Sequence, residues 1–381
     1  MVVVNNKVRL DIEQGVAVIS IDSPPVNALS HAVREGIYNG VNQALIDDSV
    51  EGIVVLCEGR TFIAGADISE FGSAPKEPHL HTVLEALDQS TKPVVAAIHG
   101  TALGGGLETA LCCNYRIASA DAKFGLPEVH LGLLPGAGGT QRLPRIVGVE
   151  KALSMVTSGA PIGAEDALKT GLIDQMAGED LRANAIDFIR DKAAIGGDHP
   201  RVRDNQEKLV SSVPNEEIFA GVRKMIARKT RGFLAPEYNI QCIEAAVSKP
   251  FDEGMKTEGK LFMELMSGAQ SRAQQYFFFA ERQASKVDGI DKTTPELQIA
   301  KVGVIGGGLM GGGIAMNMAN VGIPVTIVET NQTALDRGLG TIRRNYENTA
   351  SKGRLRLEDV ETRCNLISGA LNVDALADCD L

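Results

Sequence analysis

The sequence predicts an α/β protein, on three observations. Short apolar runs such as 16–21, 52–56 and 94–98 have the length and β-branched content of buried strands. Longer segments with apolar residues at helical spacing alternate with them. Twice, at 104–106 and 306–308, three consecutive glycines stand where an apolar run hands over to a helix. Bare backbone N–H groups at such a junction approach a ligand closely, and the helix dipole adds positive potential.

The chain in order supports each element. Val8–Ile12 and Val16–Ile21 flank Glu13-Gln14-Gly15 and predict a hairpin. Pro24, Pro25 and Asn27 end the second strand. Ser30 is the expected cap of a helix to about Ile46, with Val33, Ile37, Val41 and Leu45 on one face. Gly52–Leu56 is a short buried strand leading to a turn at Thr61–Ile68. Ser73–Pro78 reads as a loop and Leu80–Leu87 as a helix. Val94–Ile98 is a buried strand, and Leu107–Leu111 is the helix that follows the glycines. Ile117–Ala118 and Phe124 mark short strands.

The stretch 99–139 carries the chemistry. Glu108 lies three residues past Gly105, in the first helical turn, beside a pocket of N–H donors. Glu128 follows Pro127 ahead of an apolar segment. N–H groups stabilise an enolate-like oxygen, and carboxylates move protons to and from carbon and water. An oxyanion hole needs two donors, and the second is expected from Thr61–Ile68. Asp67 reads as a turn or cap residue, and His99 as a satisfied loop histidine.

Ala64-Gly65-Ala66-Asp67-Ile68, Ala102-Leu103-Gly104-Gly105-Gly106-Leu107-Glu108, Pro127-Glu128 and Pro135–Arg142 together resemble the enoyl-CoA hydratase/isomerase (crotonase) family over roughly residues 8–185. The resemblance implies a spiral of ββα units. It implies that the Ala66 and Gly105 amides form the oxyanion hole around a thioester carbonyl, with Glu108 and Glu128 as the catalytic pair. It places Ala64, Ile68, Gly104 and Gly136 around the acyl-CoA substrate. The implied reaction is hydration of 2-enoyl-CoA. The alternatives are Δ3-Δ2-enoyl-CoA isomerisation and a non-catalytic acyl-CoA-binding module, which would need neither carboxylate.

Residues 148–185 read as helices covering the pocket, with Gly159 and Gly171 as stops. Gly196-Gly197-Asp198-His199-Pro200 is loop chemistry and an expected boundary. Pro250 precedes a long amphipathic pattern with Met255, Phe262, Leu265, Met266, Ala269, Ala273 and Phe277 inside. The segment 253–281 resembles the linker helix of bifunctional hydratase/3-hydroxyacyl-CoA dehydrogenases. Residues 287–298 are polar and read as an exposed tether.

At Lys301 the pattern restarts. Lys301–Ile305 is a strand, Gly306-Gly307-Gly308-Leu309-Met310-Gly311 opens a helix to about Asn320, and Pro324–Val328 is a second strand. Glu329 lies eighteen positions past Gly311. This is the dinucleotide fingerprint: pyrophosphate on the helix N-terminus at Gly306, Gly308, Leu309, Met310 and Gly311, ribose on Glu329. An acidic group there repels a 2′-phosphate, so NAD is preferred to NADP. The segment resembles the amino-terminal, NAD-binding domain of 3-hydroxyacyl-CoA dehydrogenases. In that family the catalytic His–Glu pair lies beyond the point matching Leu381, and no His follows His199 here. The chain is therefore expected to be part of a longer protein. Residues 301–381 are expected to be its least stable part, with an unpaired sheet edge. The expected domains are 1–195 (hydratase/isomerase), 196–298 (helical linker) and 299–381 (incomplete NAD-binding Rossmann domain).

Composition bounds the partners. The 381 residues carry a net charge of −10 and no basic motif, which argues against nucleic acid. No apolar run has the length of a membrane span. The six cysteines form no CxxC pair, and no His/Cys/carboxylate cluster has metal-ligand spacing, so reduced thiols and no metal are expected. The resemblance adds a second copy of the chain or a thiolase as partner. It implies a cytoplasmic location in a bacterium and a peroxisomal one in a eukaryote.

Overall fold

The computed structural model describes residues 2–70, 76–284, 286–291 and 293–381. Part of the expected 73–78 loop, residues 73–75, lies outside them. The chain forms two compact units, Met1–Ser285 and Lys286–Leu381.

The first unit is built on a seven-stranded sheet in the order β1-β2-β3-β4-β5-β7-β10. Its strands are β1 (Val2–Val3), β2 (Val8–Glu13), β3 (Val16–Ile21), β4 (Gly52–Cys57), β5 (Val94–Ile98), β7 (Tyr115–Ala118) and β10 (Gln175–Met176). β2 and β3 pair antiparallel across the expected hairpin, and the pairs from β3 to β10 are parallel. β3, β4 and β5 are buried along their whole length, as continuous apolar strands covered on both faces must be. One face packs on α1 (His31–Ile46), α2 (Leu80–Asp88) and α3 (Gly105–Cys112), joining Val33, Ile37, Leu87 and Leu107 to Ile19, Val55 and Ile98. A small second sheet joins β6 (Thr101–Leu103), β8 (Lys123–Gly125) and β9 (Ile162–Gly163).

Helices α4 (Gly139–Val147), α5 (Val149–Ser158), α6 (Ala164–Thr170) and α7 (Leu181–Ile195) follow. Gly159 and Gly171 close α5 and α6 in left-handed conformation, as expected. α7 is a correction to the expected pocket cover. Its Ala185, Ile186 and Ile189 pack on Val54, Val95 and Ile117, on the other face of the sheet. Ser30 is another: it stands at the N-cap of α1 with no side-chain cap bond, and the first helical N–H, that of His31, donates instead to Glu70 Oε1 at 2.8 Å.

Helices α8 (Asn215–Ile226), α9 (Ala235–Ser248), α10 (Phe251–Ser267) and α11 (Ala269–Ala284) belong to the same unit. The single long helix expected over 253–281 is two helices, because Gly268 turns extended (φ −75°, ψ 155°). Ala269, Ala273 and Phe277, expected inside, are exposed. The buried stripe of α10 is Gly254, Glu258, Leu261 and Leu265. At the start of α10 the Phe251 ring faces the guanidinium groups of Arg142, Arg145 and Arg203 at 5.0, 5.1 and 4.6 Å. Buried Asp88 accepts from Arg142, Arg201 and Arg203 at 3.3–3.5 Å.

The second unit contains β11 (Val302–Ile305), α12 (Leu309–Asn320), β12 (Val325–Val328), α13 (Gln332–Ala350), α14 (Leu357–Asn365) and β13 (Ile367–Ala370). The strands are parallel in the order β11-β12-β13. Val304, Ala315, Ile327, Leu335 and Ile342 form its core.

Candidate active site

β5 and β6 deliver the glycines to the N-terminus of α3. Gly104 turns with φ +53°, and Gly105 is the first helical residue, so its N–H has no carbonyl one turn back to bind. The 61–66 segment crosses this junction at backbone contact. The Leu103 N–H donates to the Ile63 carbonyl at 3.1 Å. A Cβ on Gly106 would stand 2.0 Å from that same oxygen, so only glycine fits there. On its far side the segment is tied to the sequence before α1, where the Leu29 N–H donates to the Gly65 carbonyl at 2.9 Å. The crossing brings the Ala66 nitrogen within 3.6 Å of where a Gly105 Cβ would stand. Two backbone amides from distant parts of the chain are thus brought close together.

Glu108 rises from the first turn of α3 and is buried. Its Oε1 accepts from the Ala137 and Gly139 amides, each at 2.8 Å. Burial pushes its pKa up, and the two amides and Arg142 act against that push. Glu128 sits in a short 3₁₀ turn, Pro127–Leu131. Its Oε2 is sealed from solvent without a hydrogen-bond partner among the described residues. Burial, and then the nearby Glu108 carboxylate, push its pKa well above the usual carboxylate range. A Cβ on Gly104 would reach Glu128 Oε1 at 3.0 Å, which places this carboxylate over the glycine turn.

Glu258 of α10 is a third buried carboxylate, and sequence reasoning missed it. Its Oε1 accepts from the Gly138 amide at 2.7 Å, and its Oε2 from the Thr140 amide at 3.1 Å and the Thr140 hydroxyl. Burial, then Glu108, raise its pKa to about 8. The available signal was its register: it falls in line with Gly254, Leu261 and Leu265 on one helix face. Phe262 of the same helix stacks on Gly136, where a Cβ would meet its ring at 2.5 Å. Ala64 is half-buried in the crossing segment, and Ile68 is half-buried just after it, at the start of a short 3₁₀ turn.

In the second unit the Gly307 N–H donates to Glu329 Oε1 at 2.8 Å, so the acidic residue reaches the glycine turn. A Cβ on Gly311 would stand 1.8 Å from the Gly306 carbonyl oxygen, a turn that requires glycine. Gly308 caps α12, and Leu309 and Met310 are exposed beside it. These residues fit a dinucleotide: a tight turn at a helix N-terminus with one carboxylate alongside.

Residues 11–204 match the family described as enoyl-CoA hydratase/isomerase, and residues 301–381 match 3-hydroxyacyl-CoA dehydrogenase, NAD binding domain. The chain is 39% identical to a peroxisomal bifunctional enzyme of Danio rerio over 97% of its own length and 51% of the relative's. It is 42% identical to the peroxisomal bifunctional enzyme of Homo sapiens, over 90% of the chain and 48% of the relative. It is 34% identical to the peroxisomal fatty acid beta-oxidation multifunctional protein MFP2 of Arabidopsis thaliana, over 96% and 52%. The chain thus spans about half the length of these curated relatives. Among solved structures, carnitinyl-CoA hydratase from Mycobacterium avium superposes with a TM-score of 0.53 at 26% identity, over 73% of this chain and 97% of that one.

Proposed function

Because the chain belongs to the enoyl-CoA hydratase/isomerase family, we propose that it hydrates 2-enoyl-CoA thioesters as the hydratase portion of a bifunctional β-oxidation enzyme. In this proposal residues 1–195 are the hydratase domain, 196–298 the helical linker and 299–381 an NAD-binding domain of dehydrogenase type. The observation that carries the reading is the pair of carboxylates, Glu108 and Glu128, set at the glycine turn in unequal environments.

The Ala66 and Gly105 amides bind the thioester oxygen and draw electron density from C3. Ala64, Ile68, Gly104 and Gly136 line the substrate's path. Both amides that hold Glu108 bind its Oε1, which leaves Oε2 for a water. Glu128 has the more strongly raised pKa, so it keeps its proton while Glu108, held by two amides, gives its own up. Glu108 takes a proton from the water as its oxygen bonds to C3. Glu128 delivers its proton to C2, and the C2–C3 double bond becomes single. Each oxyanion donor contributes roughly 3–4 kcal/mol in the transition state.

Glu128 also supports a second reaction of the same site. A carboxyl group with a free, sealed oxygen is what a proton shuttle between C2 and C4 requires, which is Δ3-Δ2 isomerisation. In the second unit, Gly306, Gly308 and Gly311 with Leu309 and Met310 would hold the pyrophosphate of NAD, and Glu329 the ribose. NAD, when bound, supplies a hydride acceptor for oxidation of a 3-hydroxyacyl thioester. The eukaryotic relatives named above suggest a peroxisomal setting, and a second copy or a thiolase remains the proposed protein partner.

The test is loss of crotonyl-CoA absorbance on adding the protein. Glu108→Gln and Glu128→Gln are each expected to slow hydration about a hundredfold or more, with acyl-CoA binding retained. Wild-type rates in both variants would refute the mechanism.

A further inference from the structure

The mechanism above gives Glu258 no chemical role, yet it is fully buried against the reacting pair. Its partners form a pattern. Four consecutive amides, 137 to 140, point alternately to two carboxylates. Ala137 and Gly139 donate to Glu108, and Gly138 and Thr140 donate to Glu258. The two acids therefore hold opposite sides of one strip of backbone. That strip contains Gly138, at φ +96°, followed by Gly139. The peptide plane between these two glycines has no Cβ on either side to restrain it, so hydrogen bonds alone hold its orientation. If it turned over, the Gly139 N–H would leave Glu108, and one of the two bonds that aim the carboxylate would be lost. Nothing on α3 or in the 3₁₀ turn prevents this. The carbonyl of this plane accepts from the Gln141 and Arg142 N–H groups of α4, and the planes on either side of it are held by Glu258 of α10, beyond the matched 11–204 region.

We infer that Glu258 is a positioning residue for the hydration: by clamping the Gly138 and Thr140 amides it fixes the Ala137 and Gly139 amides that aim Glu108. Helix α10 is then part of the active-site scaffold and not only a linker. This rests on the hydratase reading, and the experiment separates the two.

The groups facing Glu258 are Glu108 on α3, Glu128 in the 3₁₀ turn, Arg142 on α4 and Cys242 on α9. Once ionised, above about pH 8, Glu258 adds to the like-charge environment that keeps Glu128 protonated. Glutamine at 258 retains one accepting oxygen, but its NH₂ would face the Thr140 N–H, donor against donor. Glu258→Gln in the full chain should lower kcat for crotonyl-CoA about 10–100-fold. KM should stay within about twofold, because the oxyanion amides are untouched. Above about pH 8, where Glu258 is ionised, the basic limb of log kcat against pH should move to lower pH, since Glu128 loses a negative neighbour. Amide hydrogen exchange should accelerate in the peptide spanning 136–142 and stay unchanged in β5. Glu258→Asp should recover part of the rate. Thr140→Ala, which keeps the Glu258 carboxyl and removes its hydroxyl partner together with the bond from Gln141 Nε2 to that hydroxyl, should change both readouts in the same direction by less, and serves if the glutamine variant fails to fold. Unchanged kcat, pH profile and exchange in the variants would overturn the inference. A wild-type chain that does not hydrate crotonyl-CoA would overturn the hydratase reading instead, and exchange at 136–142 would then decide the clamp alone.

Discussion

Gly106→Ala tests whether the oxyanion hole depends on the backbone crossing. The new Cβ would lie 2.0 Å from the Ile63 carbonyl oxygen and 2.7 Å from its carbon. Ordinary contact begins near 3.4 Å. The Ile63 peptide must therefore retreat by about 1.4 Å, and close packing leaves no slack to absorb this. Ile63 is three residues from Ala66, and its carbonyl is tied to Leu103, two residues from Gly105. The retreat separates the two amides that must converge on one oxygen. Misplacement of about 1 Å costs about a hundredfold in rate, and complete loss of one donor about 10²–10³-fold. Overpacking adds about 1–3 kcal/mol of destabilisation. The assay is crotonyl-CoA hydration with a thermal melt on the same sample. Gly221→Ala is the control: Gly221 is exposed on α8, a Cβ there would have nothing within 4 Å, and the variant should gain roughly 0.5–1 kcal/mol of stability at unchanged rate. A Gly106→Ala protein with wild-type kcat would refute the argument that the crossing sets the donor spacing.

Gly105→Pro deletes one oxyanion N–H and should abolish hydration with both glutamates in place, circular dichroism confirming that the fold survives. Glu329→Ala removes a charged hydrogen-bond acceptor worth roughly 1.5–3 kcal/mol, so calorimetry should show NAD binding weakened about tenfold or more and NADP disfavoured less; equal NAD affinity would remove Glu329 from the site. Glu258 keeps its proton in the folded chain up to about pH 8, against an ordinary value of 4.5. Its contribution to stability is therefore fully present below the lower value and is lost as pH rises through the higher one, at up to ~1.4 kcal/mol per pH unit. Glu258→Gln cannot titrate, so the stability difference, wild type minus variant, measured by urea unfolding should fall between pH 5 and 8; parallel curves would refute the raised pKa.

Much of this was legible in the sequence because it rests on local signals. Apolar runs such as Val16–Ile21 fix strands by burial alone, and Gly104–Gly106 announce a junction that side chains would block. Glu108 stands out because a carboxylate in the first turn after such a junction has a physical reason to be there. Glu258 does not stand out. A glutamate between Thr257 and Gly259 reads as solvated, and only packing against α4 and α9 shows that its neighbours are amides rather than water. The break at Gly268 was hidden for a related reason: glycine permits a helix as well as ending one, and tertiary contacts choose. The missing Ser30 cap bond shows the same competition, since Glu70, forty residues on, reaches the helix end first.

The alternating grip on residues 137–140 also has a consequence for how the chain is made. Its two acids are far apart in sequence, and the bond from Thr140 to Glu258 spans 118 residues. At translation rates of about 5–20 residues per second, roughly 6–24 s separate the emergence of the two partners. During that interval the Gly138 and Thr140 amides have no acceptor, and Arg142 and Arg145 lack the Phe251 ring that later faces them. The nascent α/β layer is therefore a waiting state, wet where the finished protein is dry. It closes only when α10 leaves the ribosome and docks.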